Sequence, residues 1–83
     1  MDNVLVEIYV PAAGIDYDVI IPNASKMSEV LLLVKKVIND LTADKYIATA
    51  ESVLCDKKTG SIYNINMTVK ELGIINGSQL MLI

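Results

Sequence analysis

Between Ile21 and Met27 the hydrophobic period of this chain changes from two to 3.6, and that change limits the fold more than any other feature. Along residues 3 to 10, Val4, Val6, Ile8 and Val10 point one way, while Leu5, Glu7 and Tyr9 point the other. Such alternation marks a strand with one face in a core. Pro11-Ala12-Ala13-Gly14 reads as a turn. A second alternating run places Ile15, Tyr17, Val19 and Ile21 on one face and Asp16, Asp18 and Ile20 on the other. Pro22 closes it, because proline has no N–H for a sheet ladder. The two runs form a hairpin. Met27, Val30, Leu31, Val34, Ile38 and Leu41 then fall on one stripe of a helix of about four turns. Ser25 is the expected N-cap, with Ser28 as its rival. Leu32, Leu33 and Val37 widen the apolar surface beyond the stripe, so the helix is either covered on two sides or leaves apolar surface exposed.

The remainder is shorter-ranged. Residues 42–51 are less regular, with Tyr46 and Ile47 expected to tuck against the domain edge. Ser52 to Asp56 reads as a short strand, Lys57-Lys58-Thr59-Gly60 as a polar hairpin turn, and Ser61 to Asn64 as the return strand. Thr68-Val69-Lys70-Glu71 has capping-box spacing and predicts one short helical turn. Gly73 fits a left-handed stop to it, and Asn76-Gly77 is a tight turn. Gln79 to Ile83 is a last strand, with Leu80 and Leu82 facing one way and Met81 and Ile83 the other. Hairpin, long helix, hairpin, helical turn and final strand make an α+β roll, expected as a single domain over residues 1–83.

Composition sets what such a roll can do. A chain of 83 residues buries only roughly 60–65% of its unfolded surface. One cysteine and no histidine leave it without an internal disulfide, a zinc site or an iron–sulfur site. Stability therefore comes from packing, which the 53% hydrophobic content can supply. The longest apolar run, Val30 to Val34, is far short of the roughly 20 residues of a membrane span. Asp2 and Glu7 occupy the place of a basic signal-peptide n-region, so a cytoplasmic location is expected. A net charge of −3, with basic residues concentrated only in Lys35–Lys36 and Lys57–Lys58, argues against nucleic-acid binding.

The order of elements resembles that of ubiquitin and its relatives, the β-grasp proteins. The resemblance is most specific in Thr68-Val69-Lys70-Glu71-Leu72-Gly73-Ile74, Asn76-Gly77 and Leu80-Met81-Leu82. It implies a mixed sheet of four to five strands, one long helix packed across it, and a short helical turn before the last strand. Within that superfamily the chain resembles the YukD/EsaB group, small ubiquitin-like accessory proteins of bacterial type VII (WXG100) secretion systems. The matching residues are Tyr17-Asp18-Val19 leading to Pro22, and Leu72-Gly73-Ile74 followed by Asn76-Gly77-Ser78-Gln79-Leu80.

Catalysis is not expected. Cys55 has no histidine to activate it and reads as a small apolar strand residue. Lys57-Lys58-Thr59-Gly60 lies between strands and lacks the spacing of a phosphate-binding loop. Asp16, Asp18, Asp40, Asp44 and Glu51 show no calcium-loop spacing and read as solvated charge. Modifiers and sulfur carriers among the relatives use a C-terminal Gly-Gly. This sequence closes on Met81-Leu82-Ile83, so that role is the less favoured alternative. No cofactor and no metal are expected.

What remains is surface. In the β-grasp order the first and last strands are central, with the third beside the last. Leu5, Tyr9, Leu54, Met81 and Ile83 would then form one outward apolar patch where ubiquitin binds its partners. Which of Val53, Leu54 and Cys55 faces outward turns on one residue of register, and Leu54 is taken as that residue. The helix surface around Leu32, Leu33 and Val37 is a second candidate. The resemblance implies protein partners from the type VII machinery, either a membrane component or its FtsK-like ATPase. A weak homodimer is the structural alternative.

Overall fold

A computed structural model describes residues 2–42 and 51–83. β1 (Asn3–Val10) and β2 (Ile15–Pro22) pair antiparallel from Asn3 opposite Pro22 to Val10 opposite Ile15. The turn between them closes on Val10, whose carbonyl accepts from the N–H groups of Ala13 and Gly14 at 3.1 and 2.8 Å. The alternation sorts the side chains as expected: Val4, Val6, Ile8, Val10, Val19 and Ile21 are buried. α1 (Met27–Leu41) buries Met27, Val30, Val34 and Ile38 in the same cluster. β3 (Leu54–Asp56) and β4 (Gln79–Leu82) complete a four-stranded sheet of order β2-β1-β4-β3. β1 runs parallel to β4 and the other pairs are antiparallel, so the sheet is mixed. Leu54, Val69, Ile74, Leu80 and Leu82 fill the rest of the core between sheet and helix.

The segment between β3 and β4 ties the two layers together. Thr68 and Glu71 form the predicted capping box. The Thr68 N–H donates to Glu71 Oε1 at 2.9 Å, and the Glu71 N–H donates to Thr68 Oγ1 at 3.1 Å. The turn ends in a Schellman pair, Ile74 N–H to the Val69 carbonyl (3.2 Å) and Gly73 N–H to the Lys70 carbonyl (3.0 Å). Gly73 takes φ +73° there, which a side chain disfavours. These bonds to Thr68 hold the Glu71 carboxyl below the ordinary carboxylate range, the backbone N–H contributing most. A carboxylate depressed by folding stabilises above its unfolded value of 4.5 and loses that contribution as pH falls through its lower folded value. Glu71→Gln should therefore be less stable than the wild type near neutral pH. The gap should close below that value in denaturation curves recorded across pH.

Three expectations change. Ser25 does not cap α1: Lys26 holds that position and has no side-chain acceptor. The first free N–H groups, of Met27 and Ser28, donate instead to the carbonyls of Met67 and Ile65 at 2.8 and 3.0 Å. Leu41 lies on the helical stripe but is exposed, one turn past Ile38, the last helical residue that the core buries. The return strand over 61–64 shrinks to a bridge between Cys55 and Ile62, flanked by the bonds Asp56 N–H to Ser61 O and Tyr63 N–H to Leu54 O. Tyr46, Ile47 and Asp44 lie outside the described residues.

Candidate protein-docking face

With Val4, Val6 and Ile8 directed into the core, Leu5, Glu7 and Tyr9 point outward, and register lines up their neighbours in rows. At one end Leu5 lies opposite Ile20. The next row is polar: Asp18, Glu7 and Gln79, with Lys57 bonded through its N–H to the Gln79 carbonyl at 3.1 Å. The third row runs Asp16, Tyr9, Met81, Cys55, Ile62 across every strand. Beyond it, Ile83 and Val53 exchange both backbone hydrogen bonds, at 2.8 and 3.0 Å. Of the five residues expected in one patch, Tyr9, Met81 and Ile83 are neighbours on this face. Leu5 faces the same way but stands apart, across the polar row.

Leu54 does not belong to the face. It pairs with Leu82 and is 2% exposed, so it points into the core. Val53 and Cys55 alternate with it toward the other face, where Val53 is half-buried and Cys55 is fully covered. Nothing in Val53-Leu54-Cys55 distinguishes the two faces of so short a strand, since all three residues are apolar. Only contact with Leu82 decides. Ile62, 63% exposed and paired with Cys55, was missed because the return strand has no alternation long enough to read.

Lys57 crosses this face. Its Nζ lies 4.9 Å from the centre of the Tyr9 ring, 3.6 Å from Glu7 Oε1 and 3.9 Å from Asp16 Oδ1. A cation over an aromatic ring, shared between two carboxylates, turns the centre of the apolar row polar. Each pair is partly solvated and worth about 0.2–1 kcal/mol. Lys57→Gln should thus lower stability by about 1 kcal/mol at low ionic strength, with the loss shrinking as salt screens Glu7, Asp16 and Asp18. Melting curves at two salt concentrations check this.

The titratable groups beneath the face are held in their neutral forms. Burial, then Asp56, pushes the Cys55 thiol up, and its Sγ approaches the Met81 carbonyl at 3.6 Å. Burial, then Asp56 and Cys55, pushes the Tyr63 phenol up to about 12. Among the described residues, no group of three or more His, Cys, Asp or Glu could hold a metal ion. No described helix is long and apolar enough to cross a membrane. Of the second candidate surface on α1, Leu32 and Leu33 are exposed, whereas Val37 is partly buried against the core.

No family model matches the sequence, and no curated protein matches it. Solved structures do. The ubiquitin-like domain of EccD5 from Mycobacterium xenopi superposes with a TM-score of 0.84 at 18% identity, over 100% of this chain and 94% of that one. The chain has the ubiquitin-like β-grasp fold. The ubiquitin-like domain of the Mycobacterium tuberculosis type VII secretion protein EccD1 matches at TM-score 0.68 and 18% identity, over 100% and 99% of the two chains. A chain of the ESX-5 inner membrane complex matches this ubiquitin-like fold at TM-score 0.73 and 18% identity. The match covers 100% of this chain and 21% of that one.

Proposed function

We propose that this ubiquitin-like chain is a non-catalytic adaptor of type VII secretion, docking its outer sheet face on a cytoplasmic part of the secretion machinery. One observation carries the mode of action: Tyr9, Met81 and Ile83, with the exposed Ile62 at the far end of their row, line the outer face of a sheet whose other face is the core, and the Cys55 between them is itself buried. Apolar residues gathered this way favour a protein partner, and a methionine at their centre suits adaptable contacts. The identity of the partner rests on similarity. EccD ubiquitin-like domains share the fold, and the Tyr17-Asp18-Val19 and Leu72-Gly73-Ile74 segments resemble the YukD/EsaB group. A membrane component or the FtsK-like ATPase of the system fits the role.

A second reading follows from the match to one fifth of an ESX-5 inner-membrane chain: the sequence acts as the ubiquitin-like domain of a larger membrane component. Affinity isolation of the tagged protein from its own cells, with lysine crosslinking and mass spectrometry, tests both. The adaptor reading expects crosslinks from Lys57 or Lys58 to a type VII component. An intact mass far above that of 83 residues would favour the second reading. A C-terminal covalent adduct, without type VII partners, would overturn both in favour of a carrier.

A further inference from the structure

β2 is an edge strand of eight residues, bonded among the described strands to β1 alone. In β1 the groups of Leu5 and Glu7 bond away from β2. Leu5 N–H donates to Asn76 Oδ1 (2.8 Å), its carbonyl accepts from Gly77 N–H (2.8 Å), and Glu7 N–H donates to the Ser78 carbonyl (3.0 Å). The residues opposite Leu5, Glu7 and Tyr9 are Ile20, Asp18 and Asp16. In an antiparallel ladder these are non-hydrogen-bonded pairs, so the N–H and C=O groups of Asp16, Asp18 and Ile20 point to the open side of the sheet. Among the described residues none of them has a hydrogen-bond partner. An open edge of this kind is a template for one more strand.

Charge and exposure choose the occupant. Ile20 is 64% exposed beside the exposed Leu5, an apolar pair at one end of the edge. Asp18 stands directly opposite Glu7, an arrangement of like charges that costs stability. Lys57 serves Glu7 and Asp16, and Asp18 has no ion pair among the described residues. A second copy adding through the middle of the same strand would bring the Asp16 and Asp18 carboxylates of both chains together, so self-pairing is disfavoured. We infer that the β2 edge accepts an extended segment of a partner protein whose alternate residues are lysine or arginine, opposite Asp16 and Asp18, and aliphatic, opposite Ile20. The intervening residues of that segment would meet the half-buried Ile15 and Tyr17 and are apolar as well. The inference deepens the adaptor reading and rests on it: it specifies the chemistry by which a partner protein extends the sheet.

The probe is a capped synthetic peptide, Ile-Val-Lys-Val-Lys-Val-Ile, whose charge pattern reads alike in parallel and antiparallel pairing. Titrated into the 15N-labelled chain at low salt, it should shift the amide signals of Asp16, Asp18 and Ile20 and slow their hydrogen exchange. The double variant Asp16→Lys with Asp18→Lys should bind it more than 10-fold more weakly and should now bind the peptide with glutamate at both lysine positions. A peptide N-methylated at every residue, which offers the edge no N–H in either pairing, should not bind. No binding at millimolar peptide, shifts centred on Met81 and Ile83 or on α1, or equal affinity for the glutamate peptide would each overturn the inference. Protection of the same amides by concentration-dependent dimerisation of the chain alone would overturn it in favour of self-pairing. Because the assay uses only the chain and a synthetic peptide, it can fail while type VII components are still captured in cells, and the reverse.

Discussion

Replacing Leu54 by alanine is expected to lower stability by about 2–5 kcal/mol, the usual cost of a truncated buried leucine. Leu54 is 2% exposed, faces Leu82 and belongs to the cluster that includes Ile38 and Val69. A domain of this size has only roughly 4–12 kcal/mol in total, so the variant should melt about 10–30 °C lower. Leu54→Asp should not fold, since a carboxylate there would be buried without a partner. Were Leu54 outward, as the sequence suggested, alanine would change stability by no more than about 0.5 kcal/mol. A denaturant midpoint unchanged by Leu54→Ala would therefore refute the register of β3.

Met81→Glu should do the opposite: keep the fold and lose the partner. Met81 is half-buried, between Tyr9 on β1 and Cys55 on β3, at the centre of the outward row. A glutamate there brings a fourth carboxylate to a face that already holds Glu7, Asp16 and Asp18, with Lys57 alone among the described residues paired to them. A residue at the centre of a docking face typically contributes about 2 kcal/mol or more, so affinity for the isolated type VII component should fall by about 30-fold or more. Ile62→Glu, at a position already exposed, guards against a folding artefact and should weaken binding without moving the melting temperature. Wild-type affinity in both variants would move the docking site elsewhere, with Leu32 and Leu33 on α1 as the next surface to test.

The site was less legible than the fold. Tyr9, Met81 and Ile83 could be read as outward because β1 and β4 alternate long enough for their inner residues to declare themselves. Leu5 was read as outward too, yet the polar row of Asp18, Glu7, Gln79 and Lys57 separates it from the others. That row depends on strand order and register between segments far apart in the sequence. Cys55, Val53 and Ile62 were unreadable for a different reason: a three-residue strand of apolar side chains carries no periodicity.

What the sequence determined by itself is local. Alternation set the faces of β1 and β2, and the 3.6 period set the buried stripe of α1. Thr68, Glu71 and Gly73 specify the capping box and the left-handed stop of their turn through bonds between residues at most five apart, while the N–H groups of Val69 and Lys70 donate to the distant carbonyls of Ser25 and Asn23. Tertiary structure decided the rest. The N-terminus of α1 needs no serine cap because carbonyls of Ile65 and Met67 reach its free N–H groups. Leu54 faces inward because Leu82 is there to meet it. Lys57 lies over Tyr9 because Glu7 and Asp16, on two other strands, attract it. Hydrogen-bond acceptors, core contacts and counter-charges act through space, so a segment read alone does not disclose which of them it will find.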